Sequence, residues 1–276
     1  MDHDNLKTKN PKPNRKVLRW KLGEKPVSCD DEFAVEEPLE IRVDNHPISV
    51  TMRTPGHDAE LAAGFLVTEG LIKKRSDVAK IEPHPRNKDK NVINVFLSPD
   101  VAVDFKQLTR HVFASSSCGL CGKATIESIH QHFPKLKTKI SVAARTILGL
   151  PEKLRGAQKT FDRTGGLHAA GIFDSHGNLI VLREDVGRHN AVDKVLGHGF
   201  LEGCFPFEKQ ILLVSGRASF EIMQKALAAR IPIVCAVSAP SSLAVEFAQE
   251  SGQTLVGFLR GERMNVYAHP KRIKFD

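Results

Sequence analysis

QILLVSGRASFEIMQKALAARIPIVCAVSAPSSLAVEFAQESGQTLVGFL, residues 210–259, decides the fold class. The runs QILLVS, IPIVCAVS and TLVGFL are apolar throughout, the pattern of strands covered on both faces rather than one. Between them, ASFEIMQKALAAR and SSLAVEFAQESG carry apolar residues at helical spacing and open on serine, a favoured helix N-cap. Alternation of this kind predicts an α/β fold, a sheet with helices on both faces.

Working upstream, HAAGIF (168–173), a DSHGN turn and LIVLRED (179–185) predict a hairpin, followed by a helix over GRHNAVDKVLGHG closed by Gly197 or Gly199. Residues 134–162 mix helix-like and loop-like patterns and give no firm assignment. Nearer the N-terminus, EEPLEIRVD (36–44) and HPISVTMR (46–53) alternate apolar positions around a turn at Asp44 and Asn45. TPGHDAELAAGFLVTEG then supplies Asp58 as an N-cap, Leu61, Ala62, Phe65 and Leu66 on one helical face, and Gly70 as a stop, with His57 read as part of the capping region. VINVFLS (92–98) is a further strand. The chain therefore divides into a basic flexible tail (1–27), a small β-containing N-terminal region with hairpin and helix (28–110), a mobile cysteine loop with a following helix (111–133) and an α/β core (134–276).

The chain has 276 residues, 41% of them hydrophobic, enough for a substantial core. It contains neither an apolar run of roughly 18 residues nor a signal-peptide pattern, which predicts a cytoplasmic protein with no membrane partner. Its formal charge of +8 is concentrated at the ends: residues 1–27 carry eight Lys/Arg against three acids, and residues 258–276 five against two. The remainder is neutral, and one Trp and one Tyr offer little surface for stacking bases, which argues against a nucleic-acid polymer. A discrete anionic ligand near the C-terminus passes the same test.

VSGRAS (214–219) and VSAPSS (237–242) each lead from the end of a strand into a helix. In open α/β sheets that edge faces the ligand, and helix N-termini there present free N–H groups to anions. Ser215, Gly216, Arg217, Ser219, Ser238, Ser241 and Ser242 are accordingly candidates for one phosphate-binding edge; the alternative is that each serine simply caps its helix. FLRGERMNVY (258–267) emerges from the same sheet, with Arg260 and Arg263 offering planar forks for phosphate and Gly261 a close backbone approach. Glu184, Asp185, Arg188 and His189 in REDVGRHN, and His168 in TGGLHAAG, fit either site roles or an ordinary charged helix start and a satisfied histidine.

SSSCGLCGKATIE (115–127) holds the one close cysteine pair, Cys118 and Cys121, at or just before a helix N-terminus. With His130 and His132 the spacing is C-x2-C-x8-H-x-H, which misses the usual zinc-finger pattern, and the signature of a zinc deaminase is absent. A redox pair suits the helix N-terminus, where thiol pKa values fall, but the surrounding thioredoxin-type pattern is missing. A glycine-flanked thiolate that accepts and carries sulfane sulfur fits best. Cys235 reads as a small buried hydrophobe, while Cys29 and Cys204 lie in loop-like surroundings.

EEPLEIRV, TPGHDAELAAGFLVTEG, SCGLCG, TGGLHAAG, EDVGRHNAVDK, SGRASFEIMQKA, SAPSSLAVEFA and TLVGFLRGERMNVYAHP together resemble the formate dehydrogenase accessory sulfurtransferase family, FdhD, from about residue 33 to 272. The resemblance implies a cytidine deaminase-like fold, a homodimer, and transfer of persulfide sulfur from a cysteine desulfurase to the bis(molybdopterin guanine dinucleotide) molybdenum cofactor for formate dehydrogenase. It implies Cys118 as the persulfide-bearing residue, Cys121 as its companion, and Phe258, Leu259, Arg260, Gly261, Glu262 and Arg263 as the cofactor-contacting segment. Ser215, Arg217, Ser238 and His168 are the further candidate cofactor contacts, no resident metal is expected, and a guanine nucleotide such as GDP would mimic part of the ligand.

Overall fold

The computed structural model describes residues 15–84, 91–101 and 133–275. Cys118, Cys121 and most of the helix expected after them lie outside the described residues.

Strands β1 (Arg15–Arg19) and β2 (Val27–Asp31) form an antiparallel ribbon, so the basic segment expected as a tail through residue 27 is structured from Arg15 onward. Its register sets Arg15 opposite Asp31 and Lys16 opposite Asp30, cross-strand charge pairs that reading along the chain does not reveal.

The N-terminal region is a four-stranded sheet in the order β4-β3-β6-β5, built from β3 (Glu37–Val43), β4 (His46–Arg53), β5 (Val78–Pro83) and β6 (Val92–Leu97). Asp44 and Asn45 turn the first hairpin at φ 46° and 69°, two left-handed residues whose twist matches the strands. Helix α1 (Asp58–Thr68) buries Leu61, Ala62 and Leu66 against Leu39, Ile41 and Val95. Its N-cap is His57, at φ 58°, and not Asp58. The Asp58 carboxylate instead grips Arg53, accepting from Nε at 2.9 Å and from Nη2 at 3.0 Å, because the strand before the helix brings that guanidinium alongside. Gly70 ends the helix as expected, at φ 77°, its N–H donating to the Val67 carbonyl.

The core follows as β7 (Val142–Ala143), α2 (Ala144–Leu148), α3 (Leu150–Ala157), α4 (Lys159–Thr164), β8 (His168–Phe173), β9 (Leu179–Asp185), α5 (Arg188–Leu201), β10 (Ile211–Val214), α6 (Phe220–Ala228), β11 (Ile233–Ala236), α7 (Ser242–Ser251), β12 (Thr254–Arg260), β13 (Arg263–Ala268) and β14 (Ile273–Lys274). Six of these strands form one sheet in the order β13-β12-β11-β10-β8-β9, parallel across β10, β11 and β12 and antiparallel elsewhere. On one face Leu212, Val214, Val234, Ala236 and Leu255 pack with Val192, Ile222 and Phe247 of α5, α6 and α7. On the other, Ile211, Leu213, Ile233, Cys235 and Val256 meet Ile147, Leu150 and Leu154 of α2 and α3. The stretch 134–162, unassigned from sequence, thus contributes the second helical cover.

Helix α5 runs through Gly197 and Gly199 rather than stopping at either. The glycines are there for contact: a Cβ on Gly197 would lie 1.8 Å from the Glu60 carbonyl oxygen, and one on Gly64 would lie 1.8 Å from that of Asp193. Helices α1 and α5 therefore cross backbone against backbone, and this crossing docks the N-terminal region on the core. Gly197→Ala has to push the two helices apart and is expected to cost about 2 kcal/mol, as overpacking does. Thermal unfolding should show it as a Tm lower by roughly 4–8 °C.

Candidate anion-binding edge

Parallel strands β10, β11 and β12 end on the same side of the sheet, and α6 and α7 begin there. Because β8 runs antiparallel to β10, with Val214 opposite Ala170, His168 comes level with Gly216. The start of α5, at Arg188, follows β9 to the same edge, since Asp185 pairs with His168. A Cβ on Gly216 would sit 3.3 Å from His168 Nδ1 and 4.0 Å from Arg188 Cδ, which measures how closely these groups converge.

Hydrogen bonds stitch the strand ends together. The Ser215 hydroxyl accepts from the Ala169 N–H at 2.9 Å. The Ser238 N–H donates to Gly216 O at 3.3 Å, and the Phe258 N–H donates to Ser238 O at 3.0 Å. Ser219 and Ser241 cap α6 and α7, accepting from Ile222 N and Ala244 N at 3.4 and 3.2 Å. The capping reading holds for Ser219 and Ser241, and these caps fix the two helices with their N-termini at the edge.

Of the cofactor segment expected from sequence, Phe258 has φ 50° and sits at a β-bulge in β12, between the Gly257–Asn265 and Arg260–Arg263 pairs. Bulges re-aim side chains, and strained backbone at a ligand edge is a recurring device. The Arg260 guanidinium stands 5.9 Å from the Phe258 ring centroid. Leu259 is 0% exposed in the core beneath the sheet, so only its backbone is available at the edge. Gly261 and Glu262 form the exposed turn between Arg260 and Arg263, and Arg217 is exposed at the entry to α6.

Glu184 and Asp185 belong to the frame instead. Glu184 accepts from the Thr160 and Phe161 N–H groups at the start of α4, at 2.9 and 2.7 Å. Asp185 is fully buried, ion-paired to Lys194 at 2.7 Å, and accepts from Thr54 N and Gly187 N. Their neighbours Arg188 and His189 do reach the edge. The sequence signal for them was a Gly-Arg-His run opening a helix directly after a strand.

His189 bridges Ser219 Oγ, 3.2 Å from Nε2, and Glu221 Oε2, 3.2 Å from Nδ1. Burial lowers its pKa to about 4, against the pull of Glu221 and helped by Arg188 and Lys225. Burial also lowers the pKa of His168, again with help from Arg188 and against Asp185. Both imidazoles are neutral at neutral pH, which leaves the arginines as the positive charge here. Between the ordinary value of 6.5 and about 4 the unfolded chain binds the His189 proton and the folded chain does not, so stability falls as pH drops through that window. His189→Gln is expected to flatten that slope, read as Tm against pH.

Among the described residues no group of three or more His, Cys, Asp or Glu is placed to hold a metal, and no helix is long and apolar enough to cross a membrane. Arg188, Arg217, Arg260 and Arg263 make no ion pair among the described residues. Adjacent strands lie about 4.8 Å apart, so the edge from β8 to β12 spans about 14 Å, room for an elongated ligand rather than a single ion. Fold and edge together define an α/β protein whose parallel strands end on one side of the sheet, beside helix N-termini and arginines that make no ion pair among the described residues.

Comparison with known proteins sharpens that class. A profile of the FdhD/NarQ family matches residues 34–274, and the chain belongs to that family. It is 48% identical over 268 residues to the sulfur carrier protein FdhD of Streptomyces coelicolor, covering 94% of each chain. It is 49% identical over 266 residues to the protein of the same name from Mycobacterium tuberculosis, covering 93% of this chain and 96% of that one. A crystal structure from Desulfotalea psychrophila, described as a formate dehydrogenase accessory protein, superposes with a TM-score of 0.75 at 28% identity, covering 95% of this chain and 98% of the other.

Proposed function

We propose that this protein is a sulfurtransferase that takes persulfide sulfur from a cysteine desulfurase onto Cys118 and delivers it to the bis(molybdopterin guanine dinucleotide) molybdenum cofactor, its substrate, for formate dehydrogenase. Membership of a family whose relatives are named sulfur carriers supports the first half. The observation that carries the second is the carboxyl edge, where arginines without carboxylate partners among the described residues and the N-termini of α5, α6 and α7 gather. A dinucleotide brings diphosphate groups, and those are the charges such an edge neutralises.

In the loading step the Cys118 thiolate attacks the terminal sulfur of the desulfurase persulfide, the old S–S bond breaks, and the desulfurase thiolate leaves. Thiolate replaces thiolate, so no outside oxidant is needed. Cys121 acts as companion, relaying or resolving the sulfur. His168, Ser215, Arg217, Ser238 and the segment from Phe258 to Arg263 receive the cofactor, with GDP as a partial stand-in, and the working unit is a cytoplasmic homodimer.

Mass spectrometry after incubation with a cysteine desulfurase and cysteine tests the reading. One sulfur atom should be added to the peptide holding Cys118 and be removed by a thiol reductant. A chain that stays sulfur-free, yet still supports formate dehydrogenase maturation, removes the carrier role.

A further inference from the structure

Resting on the cofactor-binding reading above, we infer that Arg188 is a phosphate-gripping residue of this edge and that a ligand oxygen is the acceptor its buried Nε–H lacks. Arg188 Nε is shielded from solvent and has no hydrogen-bond partner among the described residues. Native structures leave few such donors unmatched, and a charged donor least of all. The nearby acids are engaged elsewhere: Asp185 with Lys194, Glu184 with the α4 N–H groups, and Glu221 with His189.

The surroundings select the missing partner. The arginine stem passes Gly216, whose lack of a Cβ leaves open the space beside His168 that a side chain would fill. His168 and His189 are neutral there, so no second cation competes at that point and an anion meets one planar guanidinium beside the N-terminus of α6. Nε and a terminal nitrogen of a guanidinium match two oxygens of one phosphate, a geometry lysine cannot reproduce. Arg217, Arg260 and Arg263 are exposed and can add attraction, but none of them is shielded from water in this way.

Calorimetry on the full chain with GDP, pyrophosphate and guanosine as separate probes tests the assignment, comparing wild type, Arg188→Lys and Arg188→Gln with matched thermal melts. Arg188→Gln is expected to weaken GDP and pyrophosphate by about tenfold or more while leaving guanosine unchanged, because a charge-assisted hydrogen bond to phosphate is lost. Arg188→Lys keeps the charge, removes the Nε–H, and should still lose several-fold. Unchanged pyrophosphate and GDP affinity in both variants overturns the role of Arg188 and leaves the cofactor reading standing. An equal loss for guanosine also overturns it, since the residue would then be shaping the pocket rather than reading phosphate. Failure of the wild type to bind either GDP or pyrophosphate overturns the cofactor reading itself.

Discussion

Cys118→Ala should abolish both persulfide loading and formate dehydrogenase maturation, a loss of more than about a hundredfold, because a covalent sulfur carrier has no substitute for its nucleophile. Only a thiolate can take sulfane sulfur by exchange and give it up again, and serine or alanine can do neither. Cys235 provides an internal control. It is buried in β11, and burial pushes its thiol up, far from the thiolate form, so Cys235→Ala should leave loading intact. Cys121→Ala should be intermediate, losing relay or resolution while keeping the first transfer. The comparison is made by mass spectrometry of each purified variant alongside enzyme activity in cells lacking the native protein. Persistence of both readouts in Cys118→Ala would favour a chaperone that holds the cofactor without carrying sulfur. About one zinc per chain bound through Cys118 and Cys121 would instead replace sulfur transfer with a structural site.

What the sequence disclosed depended on how local each cause was. The Asp44–Asn45 turn, the Gly70 stop and the Ser219 and Ser241 caps are set within a few residues, and they could be read directly. So could the three apolar strands, whose uninterrupted hydrophobicity reports two covered faces. Gly197 and Gly199 were read as stops because glycine near a helix end usually is one; their real reason, contact with Glu60 and Phe207, comes from distant parts of the chain. Asp58 suffered the same way, since an acid before a helix looks like a cap until Arg53 claims it. At the edge, charge alone could not separate Arg188 and His189, which reach the strand ends beside Gly216 and Ser219, from Glu184 and Asp185, which hold the frame. The sequence places all four within six residues, and only the sheet register sorts them.

Lys225→Met is expected to destabilise the protein by about 4 kcal/mol, because it would leave a carboxylate stranded where three helices meet. Lys225 of α6 lies 2.9 Å from Asp193 of α5 and 3.1 Å from the Thr68 hydroxyl of α1, and both charged side chains are 4% exposed. Burial pulls the lysine pKa down, but the Asp193 carboxylate, with Glu221 and Glu69 behind it, pulls it higher still, so the ammonium stays charged. Thr68 also donates to Asp193 Oδ1 at 3.1 Å, closing a network that fixes α1 on the core at the crossing where Gly64 and Gly197 meet opposing backbone. Removing the cation alone therefore costs more than the bond it makes. Replacing both partners, Asp193→Leu with Lys225→Met, removes the stranded charge and should recover most of the loss. The exposed Lys21–Glu24 pair offers the contrast: its side chains are 79% and 59% exposed, and Lys21→Ala should change stability by less than about 0.5 kcal/mol. In thermal melts Lys225→Met should lower Tm by roughly 8–16 °C, with the double variant much closer to wild type. A Lys225→Met protein that melts with the wild type would mean that Asp193 is not ionised in the fold, and that packing alone holds the three helices together.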